Sequence, residues 1–294
     1  GPEVILKALH NNSLSKLCTP VIYGSMKVLN YYKNISGMKD WQLFGCQKPD
    51  MANPKATNVI NCFADNQLEV EPGKITSEAG KAAFECLKKA TNDLKEGHIH
   101  ALVTAPINKY NIQSDAFKFP GHTDYLAQEL EGDALMFMVQ DNLRVGLLTD
   151  HIPVSEVASH LTEALITKKI ETIKQSLIQD FSINKPRIAV LGVNPHCGDG
   201  GVIGNEDDLI LKPTLKKIFE KGTLVFGPFP ADGFFGSNQY EKYDAVIATY
   251  HDQGLIPFKT LSFGNGVNYT AGLNRVRTSP DHGTAYDIAG KGIA

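Results

Sequence analysis

Short apolar runs alternate with amphipathic stretches along most of the chain. Runs rich in β-branched residues and bounded by polar turns predict buried strands. They lie at residues 19–24, 58–63, 100–106, 188–193, 223–229 and 244–250. Stretches with helical periodicity lie between them, including 76–97, a single long helix from Pro153 to Gln179, and 207–222. This alternation predicts an α/β protein.

Two features modify the simple alternation. The apolar runs 134–140 and 143–149 are joined by Asp141-Asn142, which predicts a hairpin and therefore a mixed sheet. Residues 40–58, and the tail from Lys259 to Ala294, show weak patterns that predict mostly loops. At the other end of the chain, Pro2 and Glu3 favour a helix start and Asn11-Asn12 its end.

Composition narrows the class of protein. The 294 residues include 29 Lys and Arg against 32 Asp and Glu, a net charge of −3 that argues against nucleic-acid or anionic-membrane partners. Five scattered cysteines without a CxxC pair are typical of cytosolic thiols. No apolar run is long enough to predict a membrane span or an export signal. A soluble cytoplasmic enzyme is expected, and the absence of an initial methionine suggests that residues precede Gly1.

Three histidines each follow a predicted strand: His151, His196 and His251. Ligands of open α/β sheets bind beyond the carboxyl ends of the strands. Neutral imidazole is a common metal ligand, and three protein ligands leave open positions on a catalytic ion. A single histidine at such a place is usually a hydrogen-bonded loop residue. Three at equivalent positions favour a metal site.

Other polar stretches allow more than one interpretation. The glycine-rich loop 194–207 could cradle a phosphate or form a surface loop before a helix, and its Cys197 is interpreted as a bystander. The cations Lys259 and Arg277 suit carboxylate or phosphate binding, or are ordinary solvated charges. The pair His122-Thr123 is either a helix cap or a substrate contact.

A set of motifs spread over nearly the whole chain resembles the 4-hydroxythreonine-4-phosphate dehydrogenase family of vitamin B6 biosynthesis. The motifs are GPE, VTAPINK, PGHTDY, LLTDHIPV, LGVNPHCGDGG, GPFPAD, YHDQGLIPFK and FGNGVNYTAGLNRVRTSPDHGTAYDIAGKGIA. The last of these is also similar to the cofactor loop of isocitrate and isopropylmalate dehydrogenases.

The resemblance implies a fold of two α/β/α domains with mixed sheets and an active-site cleft between them. The cofactor-side domain is expected to be discontinuous, with residues 1–118 and 256–294. Residues 119–255 are expected to form the metal-binding and dimerisation domain. The resemblance further implies a homodimer whose metal site is shared between subunits.

The resemblance also implies roles for individual residues. The implied metal ligands are His151, His196 and His251. The implied substrate contacts are His122, Thr123, Lys259, Asn268 and Arg277. Asp232 and Asp252 match acidic residues near the metal. Lys259, alone or with Asp232 or Asp252, is the candidate for proton transfer. The implied nicotinamide-cofactor contacts are His282, Gly283, Thr284 and Ala285.

The implied reaction is oxidation of 4-phosphooxy-L-threonine, a phosphorylated hydroxy amino acid, by NAD or NADP. A divalent ion (Zn, Mg, Co or Mn) assists it, and the β-keto acid formed decarboxylates to 3-amino-2-oxopropyl phosphate. The first alternative is a dehydrogenase of a related four-carbon phosphorylated sugar acid. A three-histidine metal hydrolase and a two-domain binding protein that closes on a phosphorylated metabolite are the others.

Overall fold

The computed structural model describes residues 1–10, 14–130 and 132–294. The chain forms two compact units, one of Gly1–Leu130 with Arg275–Ala294 and the other of Glu131–Asn274. The boundaries expected from the sequence were 118/119 and 255/256. The observed ones lie further along the chain, because the helix after Gly121 packs with the first unit while the helix and strand after Tyr250 belong to the second. The predicted helix stop at Asn11-Asn12 lies outside the described residues.

Helices and strands alternate through both units. In chain order the helices are α1 (Pro2–His10), α2 (Met26–Ile35), α3 (Ser77–Lys95), α4 (His122–Glu129), α5 (Val157–His160), α6 (Glu163–Gln179), α7 (Lys212–Glu220), α8 (Ala231–Gly236) and α9 (His251–Ser262). The strands are β1 (Val21–Gly24), β2 (Phe44–Gly45), β3 (Asn58–Asn61), β4 (Ala101–Val103), β5 (Leu135–Gln140), β6 (Leu143–Leu147), β7 (Ile188–Leu191), β8 (Val225–Phe229), β9 (Ala245–Ala248), β10 (Val267–Ala271) and β11 (Val276–Pro280). None of the described helices is both long and apolar enough to cross a membrane.

The first unit contains parallel strand pairs. Strands β1 and β2 both pair with β3, and β4 pairs with β11. The prediction of a buried strand at 100–106 was wrong in extent and exposure. Strand β4 is only three residues long, and Val103 within it is 72% exposed. The apolar sequence of β4 is typical of a central strand. Within this unit, however, β4 pairs with another strand, β11, on one side only.

The second unit contains a mixed sheet with strand order β10-β5-β6-β9-β7-β8. The hairpin predicted at Asp141 is present, with β5 and β6 antiparallel and Asp141 at φ 49°. Strand β10 is also antiparallel to β5, while β6, β9, β7 and β8 run parallel. The mixed α/β class expected from the sequence is therefore confirmed.

Helices cover both faces of the parallel strands in this unit. Ile188 and Val190 of β7 pack with residues of α6 and α7, whereas Ala189 and Leu191 pack with residues of α8 and α9. All four side chains are fully buried. Strands covered on both faces have continuous apolar sequences, and burying a large aliphatic side chain contributes about 1.5–3 kcal/mol. Packing on both faces of β7 thus fixes the carboxyl end of this strand and the start of the loop that follows it.

The structure also differs from the sequence predictions in four further segments. The single helix expected from Pro153 to Gln179 is broken, because Thr162 caps a separate helix by accepting a hydrogen bond from Leu165 N at 3.2 Å. The polar turn expected after Tyr250 is the first turn of α9, which continues past Pro257. The tail expected to be mostly loops contains β10 and β11, and the predicted loop 40–58 contains the short strand β2.

Candidate active site

The predicted metal ligands follow three adjacent parallel strands of the second unit. His151 follows β6, His251 follows β9, and His196 follows β7. Pairing continues beyond the end of β6, where Thr149 N donates to Thr249 O at 3.2 Å. The rings of His151 and His251 lie side by side, with centroids 5.4 Å apart and planes inclined by 48°.

The orientation of His251 is set by its neighbour in the chain. Nδ1 of His251 lies 2.7 Å from Oδ1 of Asp252, and the imidazole is 38% exposed. A carboxylate on one ring nitrogen favours the tautomer that leaves the other nitrogen as an acceptor or metal ligand. The lone pair of Nε2 of His251 is therefore the one that can bind a metal ion.

A buried hydrogen-bond network joins the ends of the same three strands. Oγ1 of Thr149 donates to Thr249 O at 2.7 Å, and Thr249 N donates to Oε1 of Gln253 at 2.7 Å. Nε2 of Gln253 in turn donates to Gly192 O, just after β7, at 2.6 Å. Because Thr249 is fully buried, these bonds are shielded from water and hold the strand ends in register.

His196 lies in a loop with left-handed backbone. His196 and Cys197 have φ values of 52° and 54°, and the left-handed conformation continues through Gly200. Cys197 is buried, and burial raises the pKa of its thiol to about 11, with the carboxylates of Asp207 and Asp208 adding to the effect. A neutral buried thiol agrees with the interpretation of Cys197 as a bystander.

His151 and His251 together could supply part of a binding site for a divalent ion. Two imidazoles side by side, one oriented by a carboxylate, are the kind of ligand that zinc and similar ions take. Among the residues that the structure describes, no group of three or more His, Cys, Asp and Glu side chains is arranged to hold a metal ion. Within the described part of one chain, His151 and His251 thus lie together, and no third such side chain joins them.

Other predicted residues of the second unit have varied environments. Asp232 lies exposed in the first turn of α8 and raises the pKa of the Cys197 thiol, so it is near the His196 loop. Lys259 is exposed in the last turn of α9, about 12 Å along the helix axis from His251. Asn268 lies on β10, and its buried Oδ1 has no hydrogen-bond partner among the described residues. Such an atom is suited to a ligand's donor group.

The first unit contains a separate basic cluster around Arg277. This residue of β11 is only 2% exposed, and its Nη2 donates to Oγ1 of Thr104 at 2.7 Å. Burial lowers the pKa of Arg277 to about 10, so the guanidinium stays charged at neutral pH. Burial also lowers the pKa of His122 to about 3, with smaller contributions from the charges of Arg277 and Lys109. Near neutral pH Arg277 is therefore charged and His122 is neutral, and neither changes its protonation state there.

The N-terminus of α4 adds to the positive potential of this cluster. His122 and Thr123 occupy the first turn of the helix, directly after the N-cap Gly121. The unpaired N–H groups and the positive dipole end of a helix attract anions. Together with the cations nearby, they make this cluster suited to a carboxylate or a phosphate.

The low pKa of His122 predicts acid sensitivity of the fold. Above about pH 6.5 the imidazole is neutral in both the folded and the unfolded chain, so it contributes nothing to the pH dependence. Below that pH only the unfolded chain takes up the proton, and the free energy of unfolding falls by up to roughly 1.4 kcal/mol per pH unit. Urea unfolding at about pH 7 and pH 5 should show a smaller loss for His122→Asn than for the native protein, by up to roughly 2 kcal/mol. Equal losses would contradict this assignment.

The predicted cofactor contacts lie in the first unit, after β11. His282, Gly283 and Ala285 are exposed, and Nδ1 of His282 lies 2.9 Å from Gly283 O. Ala285 has a φ of 50°, and a Cβ at Gly283 would meet no atom within 4 Å. The segment is thus an open turn with space beside its backbone.

Several residues of these arrangements were missed by reasoning from the sequence. Thr104, Lys109 and Gln253 were not singled out, although all three lie within the motifs VTAPINK and YHDQG. Asp207, which accepts hydrogen bonds from the His196 loop, was missed as well. The motifs themselves were the only available signal, because burial and tertiary partners define these residues.

Comparison with known proteins adds a second kind of observation. A protein-family model described as "Pyridoxal phosphate biosynthetic protein PdxA" matches residues 16–294. The chain belongs to this family.

Named relatives and a solved structure agree with that assignment. The chain is 48% identical to 4-hydroxythreonine-4-phosphate dehydrogenase of Bacteroides thetaiotaomicron, an alignment that covers 100% of this chain and 81% of the relative. It is 37% identical to D-threonate 4-phosphate dehydrogenase of Pectobacterium atrosepticum, with 100% and 90% covered. The crystal structure of 4-hydroxythreonine-4-phosphate dehydrogenase from Klebsiella pneumoniae matches with a TM-score of 0.86 at 35% identity, covering 100% of this chain and 89% of that one.

Proposed function

We propose that this protein is a dehydrogenase that oxidises C3 of 4-phosphooxy-L-threonine with NAD or NADP, and that its β-keto acid product decarboxylates to 3-amino-2-oxopropyl phosphate. The similarity to named dehydrogenases over the whole chain supports the dehydrogenase class, and membership of the PdxA family supports a place in pyridoxal phosphate biosynthesis. The observation that carries the proposal furthest is the close pairing of His151 and His251 beyond adjacent parallel strands. The five free thiols are compatible with the cytoplasm as the place of this reaction.

The proposed metal ligands are the three histidines that follow β6, β7 and β9. We propose that His151 and His251 are joined by His196 from a second copy of the chain in a homodimer, which would complete a three-imidazole site. A divalent ion (Zn, Mg, Co or Mn) bound there would supply positive charge that favours ionisation of the C3 hydroxyl and later of the enol. Neutral imidazoles leave the charge of such an ion undiminished for an anionic substrate.

Proton transfer is assigned to charged residues of the second unit. The hydride of C3 leaves for the nicotinamide while the hydroxyl proton passes to a base, and loss of CO₂ leaves an enol whose carbon is then protonated. Lys259 and Asp232 are the proposed proton carriers. Asp252 contributes by holding the Nδ1 proton of His251, which keeps the ring in one tautomer.

Binding of the anionic substrate is assigned to the basic cluster. Arg277 presents a rigid fork suited to carboxylate or phosphate, and the first turn of α4 presents His122 and Thr123 beside it. The buried Oδ1 of Asn268 would accept a hydrogen bond from a substrate donor. The open turn of His282, Gly283, Thr284 and Ala285 is the proposed contact for the nicotinamide cofactor.

A second candidate substrate is a four-carbon phosphorylated sugar acid. The Pectobacterium atrosepticum relative, 37% identical, is named D-threonate 4-phosphate dehydrogenase. That acid carries a hydroxyl where 4-phosphooxy-L-threonine carries an amino group. The hydrolase alternative receives no support, because both named relatives are dehydrogenases.

The test is a substrate and cofactor matrix. The purified protein, with Co²⁺ or Mg²⁺ added, is given each of the two phosphorylated acids with NAD⁺ or NADP⁺. Reduced nicotinamide is followed at about 340 nm and released CO₂ is trapped. We expect the larger kcat/KM with 4-phosphooxy-L-threonine, CO₂ in equal amount to reduced cofactor, and loss of both signals on chelation. Faster oxidation of D-threonate 4-phosphate would assign the alternative substrate, and reduction without metal would contradict the proposed mechanism.

A further inference from the structure

The loop that presents His196 has an unusual backbone. Five consecutive residues, from His196 to Gly200, have positive φ values between 46° and 82°. Two of them are glycines, but His196, Cys197 and Asp199 carry side chains. The left-handed conformation costs roughly 1–2 kcal/mol for each residue with a Cβ. Contacts from outside this segment must therefore hold it in place.

Asp207 supplies such contacts. Its Oδ1 accepts a hydrogen bond from Val193 N at 2.9 Å, and its Oδ2 accepts one from Asn194 N at 3.0 Å and another from Nδ2 of Asn194 at 3.1 Å. The carboxylate is fully buried. Hydrogen bonds to a buried charged group are stronger than neutral ones, and three donors satisfy much of what this carboxylate lost on leaving water.

The backbone packs tightly around this carboxylate. A Cβ at Gly192 would lie 2.8 Å from Sγ of Cys197 and 2.9 Å from Oδ1 of Asp207. A Cβ at Gly198 would lie 2.5 Å from Gly204 O. Asp207 also begins a turn of π-helix, Asp207–Leu211, a local irregularity that is frequent at functional sites. Asp207, at the end of the loop, is thus hydrogen-bonded to the residues at its start, Val193 and Asn194.

We propose that Asp207 is a positioning residue for His196. By holding Val193 and Asn194, it fixes the start of the left-handed segment and so the direction in which the imidazole projects. The inference rests on the proposed function in one respect, since it takes His196 to be a metal ligand. Supporting residues of this kind commonly change metal affinity 10–100-fold when they are replaced.

The test compares Asp207→Asn with Glu206→Gln. Asparagine has nearly the same shape, but its amide would face the donor groups of the loop. Glu206 accepts from the same Nδ2 of Asn194 at 2.8 Å and is only partly buried, so its replacement is a matched control. Amide hydrogen exchange at Val193 and Asn194 is measured without metal, and Co²⁺ binding is measured by titration of the visible absorption band in the full-length protein.

We expect Asp207→Asn to exchange both amides roughly tenfold faster or more and to bind Co²⁺ roughly 10–100-fold more weakly, with Glu206→Gln like the native protein. If Asp207→Asn does not fold, Asn194→Ala is used in its place, because it removes one of the three donors to Asp207. We expect it to speed amide exchange and weaken Co²⁺ binding, each by a smaller factor. Exchange and Co²⁺ affinity equal to those of the native protein would overturn the inference. A native protein that binds no Co²⁺, with exchange still dependent on Asp207, would instead overturn the metal site of the proposed function and the ligand role of His196 with it.

Discussion

Replacement of His251 by alanine is expected to lower kcat by roughly 10³-fold or more with the fold retained. His251 is paired with His151 at 5.4 Å and presents Nε2, so its loss removes a proposed ligand at the centre of the site. Metal-assisted charge stabilisation is worth several kcal/mol, and each 1.4 kcal/mol is about tenfold in rate. Steady-state kinetics over a series of Co²⁺ concentrations, with thermal unfolding measured alongside, provides the check.

His160→Ala is the matched control for this variant. His160 lies exposed at the end of α5 in the same unit, where its Nδ1 lies 2.8 Å from Glu156 O. Its replacement is expected to leave kcat and Co²⁺ affinity unchanged. If His251→Ala retained native turnover in the presence of a chelator, the histidine site would have no part in the chemistry.

Replacement of Arg277 by alanine is expected to reduce kcat/KM roughly 10²–10³-fold, mainly through KM. The guanidinium is charged, almost fully buried and fixed by Thr104 at 2.7 Å, so it is already placed to receive an anion without reordering. Truncating one member of a buried, hydrogen-bonded charge pair typically costs about 2–5 kcal/mol. Initial rates at varied substrate concentration, and competition by inorganic phosphate, would measure the loss.

Two further variants separate charge from geometry. Arg277→Lys keeps the charge but not the bidentate fork, so we expect only partial recovery of KM. Arg275→Ala removes the arginine directly before the same strand, whose Nε donates to Leu94 O at 3.1 Å. This variant should change stability without changing KM. Equal effects of Arg275→Ala and Arg277→Ala on KM would mean that general charge, and not this site, attracts the substrate.

The fold class followed from local pattern, while several details depended on tertiary context. The apolar run at 188–193 was correctly expected to be a strand because both faces of β7 are covered. The run at 100–106 has the same appearance, yet Val103 lies largely exposed. Strands β10 and β11 were missed because each has five residues and a polar residue, Asn268 or Arg277, directly after its first valine. Pairing with distant partners supplies their order. The break before Thr162 was missed because a threonine in a polar stretch does not by itself show that it caps a helix.

The site was predictable to the level of residue type and strand end. Histidines after apolar runs could be recognised, and the structure places all three beyond neighbouring strands. The sequence could not indicate that Asp252 orients His251, nor that Arg277 is buried against Thr104, 173 positions earlier in the chain. Such relations depend on burial and on long-range pairing, which no local pattern records.

The hydroxyl of Thr149 bonds to the carbonyl of Thr249, a partner one hundred positions away. The two imidazoles beside these threonines are therefore neighbours only once the whole second unit has assembled, and unfolding disperses them over a long stretch of polypeptide. A cation that requires both of them has no binding site in the denatured ensemble. Binding of such a cation would therefore raise the free energy of unfolding of this unit. Saturating concentrations of the cation should protect the unit from heat and from proteases.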